Sequence, residues 1–279
     1  AYSELNPSSL STSHPNIEFV YDIRPSFPTS LIDYTKRELD MSAALWNYLF
    51  ESKVTVRVAL LTEQDRDYIN GDRWYENNLP PIFSRFESRN ERPFIAGGGG
   101  YWQRTGPWTG NIYLATASYL DLKNMAGGWP QVARHEFFHV VQDYVIYKYG
   151  RTRPSAPGED YELSPLHFRE GGANAISHIT SFKNRGWSSD SMNWLVWVRS
   201  TETRSWMTVS SADDAIKMMV ATEQRVPSAA FEMSYAIGAV MYEWVIGTYG
   251  LDGFTKMLNQ FATAANFDQV LERSLGLTR

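Results

Sequence analysis

The sequence predicts an α+β fold, in which a small mixed sheet with its helices forms the N-terminal half and the C-terminal half is helical almost throughout. Three observations carry this expectation. VTVRVALLT (Val54–Thr62) is β-branched and alternating, and GNIYLATAS, residues 110–118, is a second strand signature. From Pro130 onward, apolar residues recur at three- and four-residue spacing between recognisable start and stop residues. The character changes near residue 129, so 1–129 is expected to be an α+β subdomain with an edge strand and 130–279 a helical one, together one integrated unit.

Taken in order, the Ser-, Pro- and Asn-rich opening AYSELNPSSLSTSHPN reads as an irregular arm. SLIDYTKRELDMSAALWNYLFES places Leu31, Tyr34, Leu39, Met41, Leu45 and Leu49 at mostly helical spacing, so a helix feeds the first strand. FIAGGGGYWQRTGPWTG is expected to be a flexible or tightly turning connection, because consecutive glycines lose most entropy inside a regular element. It lacks the Lys-Ser/Thr of a phosphate-binding loop, so the loop reading stands ahead. Pro130 suits the start of a helix that Gly150 ends. Ser164-Pro165 and Gly186 bracket the next, and Ser211 is placed to cap a third over ADDAIKMMVA. A fourth spans 229–249 and stops at Gly250; GFTKMLNQFATA and FDQVLERSLG close the chain.

With 279 residues and 43% hydrophobic content, the chain can bury a large core. A net charge of −5 and a pI near 5.6 give no broad positive field, and Lys and Arg are scattered, so no nucleic-acid partner is expected. Cysteine is absent, which excludes disulfides, thiolate metal sites and a Cys nucleophile. No apolar run approaches the roughly 20 residues of a transmembrane segment, and no signal peptide is read. The start at Ala1 without Met fits a processed secreted protein and equally a trimmed chain. Secretion is the expectation, with the cytoplasm left open.

HEFFHVVQ concentrates the chemistry. His135 and His139, four apart on a helix, share a face and can turn both imidazoles to one ion. Glu136 then projects beside the metal, placed to take a proton from water. The plain alternative is a helix with two packed histidines. Phe137, Phe138, Val140 and Val141 mark the segment as buried, where unpaired imidazoles would be costly, so the metal reading is preferred. A catalytic zinc needs a third protein ligand. The metzincin continuation is missing, since Gln142 and Val145 stand where its Gly and His would be. Glu170, His167, His178 and Asp143 are the candidates. Asp143, one turn on along the same helix, reads as a hydrogen-bonding residue ahead of a ligand, and His167 competes with Glu170.

HEFFH followed by LHFREGGANAIS resembles the gluzincin metallopeptidases, in which a Glu in a Glu-Gly-x-Ala setting on a second helix is the third ligand. The resemblance implies Zn2+ held by His135, His139 and Glu170, with Asn174 in the position that often carries an imidazole-orienting Asp. SYAIGAVMYEWVIGTYGLDGFTKML is similar to the Tyr-x-x-Gly helix of the aminopeptidase-N-like and peptidase MA-like members, which implies an oxyanion-stabilising role for Tyr235. By the same resemblance the fold has a zinc cleft between the sheet half and the helical half. The substrate is a peptide or protein, and Glu136 moves the proton from water to the leaving amine. The Gly-x-Met-Glu-Asn grip on a free N-terminus has no counterpart here, so an endopeptidase is expected ahead of an aminopeptidase. Asn111, Ile112, Tyr113 and Leu114 fall in the expected edge-strand region, where an extended peptide would add as a strand. Trp102, Trp108 and Trp129 are candidate subsites or glycan platforms if exposed, and core if buried. A catalytically silent domain of this type, binding a protein or a glycan, is the alternative.

Overall fold

The computed structural model describes residues 12–65, 94–102, 108–116, 129–149, 163–181, 211, 213, 214, 216, 217, 220 and 229–278. Their elements, in chain order, begin with β1 (Ile17–Ile23), α1 (Thr29–Trp46) with a 3₁₀ turn at Asn47–Leu49, β2 (Val54–Thr62), β3 (Phe94–Trp102) and β4 (Trp108–Thr116). Then come α2 (Trp129–Tyr147), a π-helical turn (His167–Gly171) leading into α3 (Gly172–Ser181), α4 (Ala229–Gln260) and α5 (Phe267–Leu275). The fold is α+β. The chain divides into two compact units, one Ser11–Val140 and the other containing Val141–Arg279, so the boundary falls inside α2 and not at the expected residue 129.

In the first unit the sheet order is β1-β2-β4-β3. β1, β2 and β4 run parallel, and β3 is antiparallel to β4. Parallel neighbours need a crossover, which α1 supplies between β1 and β2. The buried stripe of α1 is Leu31, Thr35, Glu38, Leu39, Ser42 and Trp46, with three polar residues among them. Thr35 settles its hydroxyl by donating to the Leu31 carbonyl at 2.6 Å. Glu38 meets Arg134 of α2, Nε to Oε2 at 2.6 Å, with both side chains almost fully buried. Tyr34 and Leu45, counted on the apolar face from the sequence, are only half-buried.

Two expectations are corrected in this sheet. FIAGGGGYW is a strand, and its four consecutive glycines are strand residues paired with Gly110–Tyr113 of β4. The local entropic argument failed because tertiary neighbours demand glycine. A Cβ at Gly98 would overlap the main-chain carbonyl of Glu136, and one at Gly97 would overlap the Tyr113 ring. The second correction concerns Asn111, Ile112, Tyr113 and Leu114. β4 pairs with β2 on one side and β3 on the other, so this stretch is interior, with all four side chains buried. It has no unpaired edge to offer a peptide. Among the described residues the edge next to it is β3.

In the second unit Ser211 and Gly250 stand where the sequence expects a start and a stop, while Gly150 and Gly186 lie outside the described residues. Gly250 breaks the helical path of α4 with φ 69°, a left-handed conformation that glycine tolerates. Asn266 caps α5 by accepting from the Gln269 N–H, and Gly276 ends it at φ 69°. Ser211 Oγ accepts from the Asp214 N–H at 3.1 Å, as a cap should. Among the described residues no helix is long and apolar enough to cross a membrane.

Candidate metal centre

α2 is buried on most of its surface: Ala133, Phe137, Phe138, Val140, Val141, Val145 and Ile146 all lie in the core. Such a helix has little freedom to rotate, because every face is packed. In its first three turns the packing comes from the sheet unit. Phe137 meets Phe19 of β1 at 5.8 Å between ring centroids, and Phe138 meets Trp46 of α1 at 5.3 Å. A Cβ at Gly110 would come within 2.8 Å of Val140, so β4 also lies close against this helix.

Held in this way, His135 and His139 bring their Nε2 atoms to 3.0 Å. One N–H donating to one lone pair satisfies that distance. Two ligands at 2.0–2.1 Å from one tetrahedral ion stand about 3.3 Å apart, so a small adjustment turns the pair into a chelate. Glu136 joins them: one ligand atom from each of the three side chains lies within 4.8 Å of the others. Glu136 and His139 are buried and His135 is half-buried. Its donors are two imidazoles and a carboxylate, with no thiolate, and they fit a borderline divalent ion.

The C-terminal part of α2 belongs to the second unit and grips the turn that carries Glu170. Gln142, fully buried, donates from Nε2 to the Phe168 carbonyl at 3.0 Å and the Arg169 carbonyl at 3.1 Å, with the Tyr242 hydroxyl at 3.4 Å. Asp143, also fully buried, is paired with Arg169 at 2.9 Å. The turn itself is π-helical, a geometry whose widened backbone is often found at functional sites. Its glycines are required by α4. A Cβ at Gly171 would overlap the Gly238 main chain, one at Gly172 the Tyr242 ring, and one at Gly238 the His167 carbonyl. Burial pushes the Tyr242 phenol well above its ordinary pKa, against a smaller opposing effect of Gln142 and Arg169, so it stays neutral.

Glu170 is half-buried on this turn. Tyr235 is half-buried on α4, three and seven residues before Gly238 and Tyr242, and so shares their side of the helix. Among the other ligand candidates, His167 is fully buried with its ring edge-on to Phe267 at 5.5 Å, and His178 is half-buried on α3. Asn174 is half-buried on α3, its carbonyl accepting from Ser177 Oγ. Trp108 is 2% exposed and packs on Phe50, so it is core and no subsite. The side chains of Trp102 and Trp129 lie outside the described residues.

Sequence reasoning missed Gln142 and Arg169. Gln142 carried a signal: it is three residues past His139 and seven past His135, on the same side of α2, a polar residue in an apolar run. The Glu38–Arg134 pair left none, since its members stand 96 residues apart. No family model, no curated protein and no solved structure matches the chain.

Proposed function

We propose that the protein is a gluzincin-type zinc peptidase that hydrolyses internal peptide bonds. The observation that carries this reading is the convergence of His135 and His139 at 3.0 Å with Glu136 beside them on one buried helix. Zinc, held by the two histidines and Glu170, would supply Lewis acidity: it activates water and polarises a carbonyl. Glu136 takes the proton of the attacking water and hands it to the departing amine, a task suited to a buried carboxylate. Tyr235 donates a hydrogen bond to the oxygen on which negative charge develops. The assignment of Glu170 as third ligand rests on the Glu-Gly-x-Ala resemblance; the group that comes together in the structure is His135, Glu136 and His139.

The substrate strand moves to β3. Among the described residues β3 pairs on one side only, and its Gly98 lies against the Glu136 main chain. An extended peptide adding along β3 would form main-chain hydrogen bonds without any recognition of its ends. Digestion of matched peptides with free and acetylated N-termini should therefore show equal cleavage, and strict need of a free amine would make the enzyme an aminopeptidase.

Elemental analysis of gently purified protein should find one zinc per chain, with casein cleavage abolished by a chelator and restored by zinc. Glu136→Gln should retain the zinc and lose about 10² to 10⁴ in turnover, because an amide keeps the shape and cannot accept the proton. Tyr235→Phe should lose about 10² to 10³ with zinc content unchanged. A zinc-loaded protein with no peptidase activity would favour a catalytically silent binding domain, and a protein that takes up no transition metal would end the reading.

A further inference from the structure

Gln142 is an amide without solvent contact, and its donors go to the two carbonyls that immediately precede Glu170. The same two carbonyls also accept the Gly172 N–H, and the turn is π-helical, a rare geometry frequent at functional sites. Phe168 and Arg169 also share one acceptor at the start of the turn, the Pro165 carbonyl, at 2.9 and 3.0 Å. Side-chain support from outside the turn adds to these main-chain bonds. Asp143 adds the second support, since its carboxylate holds the Arg169 guanidinium, the side chain adjacent to Glu170. Both supports come from consecutive residues of the helix that carries HEFFH.

We propose that Gln142 and the Asp143–Arg169 pair are positioning residues, which fix the π-helical turn so that Glu170 is presented for metal binding. This rests on the reading of Glu170 as a zinc ligand. Outer partners that orient a ligand are commonly worth about 10 to 100-fold in metal affinity. Gln142→Met keeps the length of the side chain and removes both donors.

The test is a double-mutant cycle read as the zinc Kd of the full-length protein, measured by competition with a chromophoric chelator. Gln142→Met should weaken zinc by about 10 to 100-fold. Glu170→Ala should weaken it at least as much. In the Glu170→Ala background, Gln142→Met should add nothing beyond about twofold, because a residue acting through Glu170 has nothing left to position. A residue that only stabilises the fold would weaken zinc equally in both backgrounds, and that result would overturn the proposal. So would an unchanged affinity in Gln142→Met alone. Wild-type affinity in Glu170→Ala would remove the ligand reading itself, and the positioning role with it. Should Gln142→Met fail to fold, the double variant Asp143→Asn, Arg169→Gln, which leaves no buried charge unpaired, runs the same cycle and is expected to weaken zinc in the wild-type background only.

Discussion

The two parts of α2 are held by different forces. As far as Val140 the helix packs through aromatic rings, close glycine contacts and one buried ion pair, all within the sheet unit. From Val141 it adds polar side chains that bond a turn of the helical unit. Apolar packing and the ion pair set the rotation of the helix, and with it where the imidazoles point. Directional hydrogen bonds suit the other task, because they add to the main-chain bonds of an irregular segment. The comparison teaches that two stretches of one helix can be held by two kinds of restraint, close packing along the first and side-chain bonds to an irregular turn along the second.

Breaking the first part should have the largest effect. Glu38→Leu leaves Arg134 as a buried uncompensated charge, which is expected to cost about 3–5 kcal/mol in chemical denaturation. The double variant Glu38→Leu, Arg134→Met should recover most of that loss, since apolar groups of similar volume often replace a buried pair without penalty. A single variant within 1 kcal/mol of wild type, by contrast, would mean that the pair anchors nothing.

A smaller loss is expected at the strand edge. Gly98→Ala drives a methyl into the Glu136 carbonyl, so β3 or α2 must shift, at about 1–3 kcal/mol. On the proposed function, its activity should fall further than its stability alone explains, because the displaced backbone carries Glu136. Unaltered activity and stability would show that the contact relaxes freely. The least effect belongs to the second part of the helix. Tyr242→Phe removes the longest of the Gln142 contacts, at 3.4 Å, and is expected to cost about 1 kcal/mol, with zinc affinity unchanged on the proposed function. A tenfold loss of affinity there would place Tyr242 among the groups that fix the turn.

Much of this was legible from the chain alone. The HEFFH face, the strand Val54–Thr62, the stop at Gly250 and the caps at Ser211 and Gly276 are local patterns, and local geometry follows from neighbours within a few residues. The glycines Gly97–Gly100 were misread for the same reason: a local rule sees their entropy and not the strand pairing, nor the ring and the carbonyl that crowd Gly97 and Gly98. Strand order was likewise out of reach, since β4 alternates and turns equally well at an edge or in the interior, and only its pairing with both β2 and β3 decides.

By itself the sequence determined that two imidazoles and a carboxylate share one turn of one helix, because a helix fixes the relation of residues four apart. Only the tertiary structure decided which distant residues pair with that helix. Glu38 reaches Arg134 across 96 positions and Gln142 reaches Phe168 across 26, and no periodicity links groups so separated. Those contacts exist because buried charges and buried amides must find partners once the core has closed, and the core closes by the packing of whole elements.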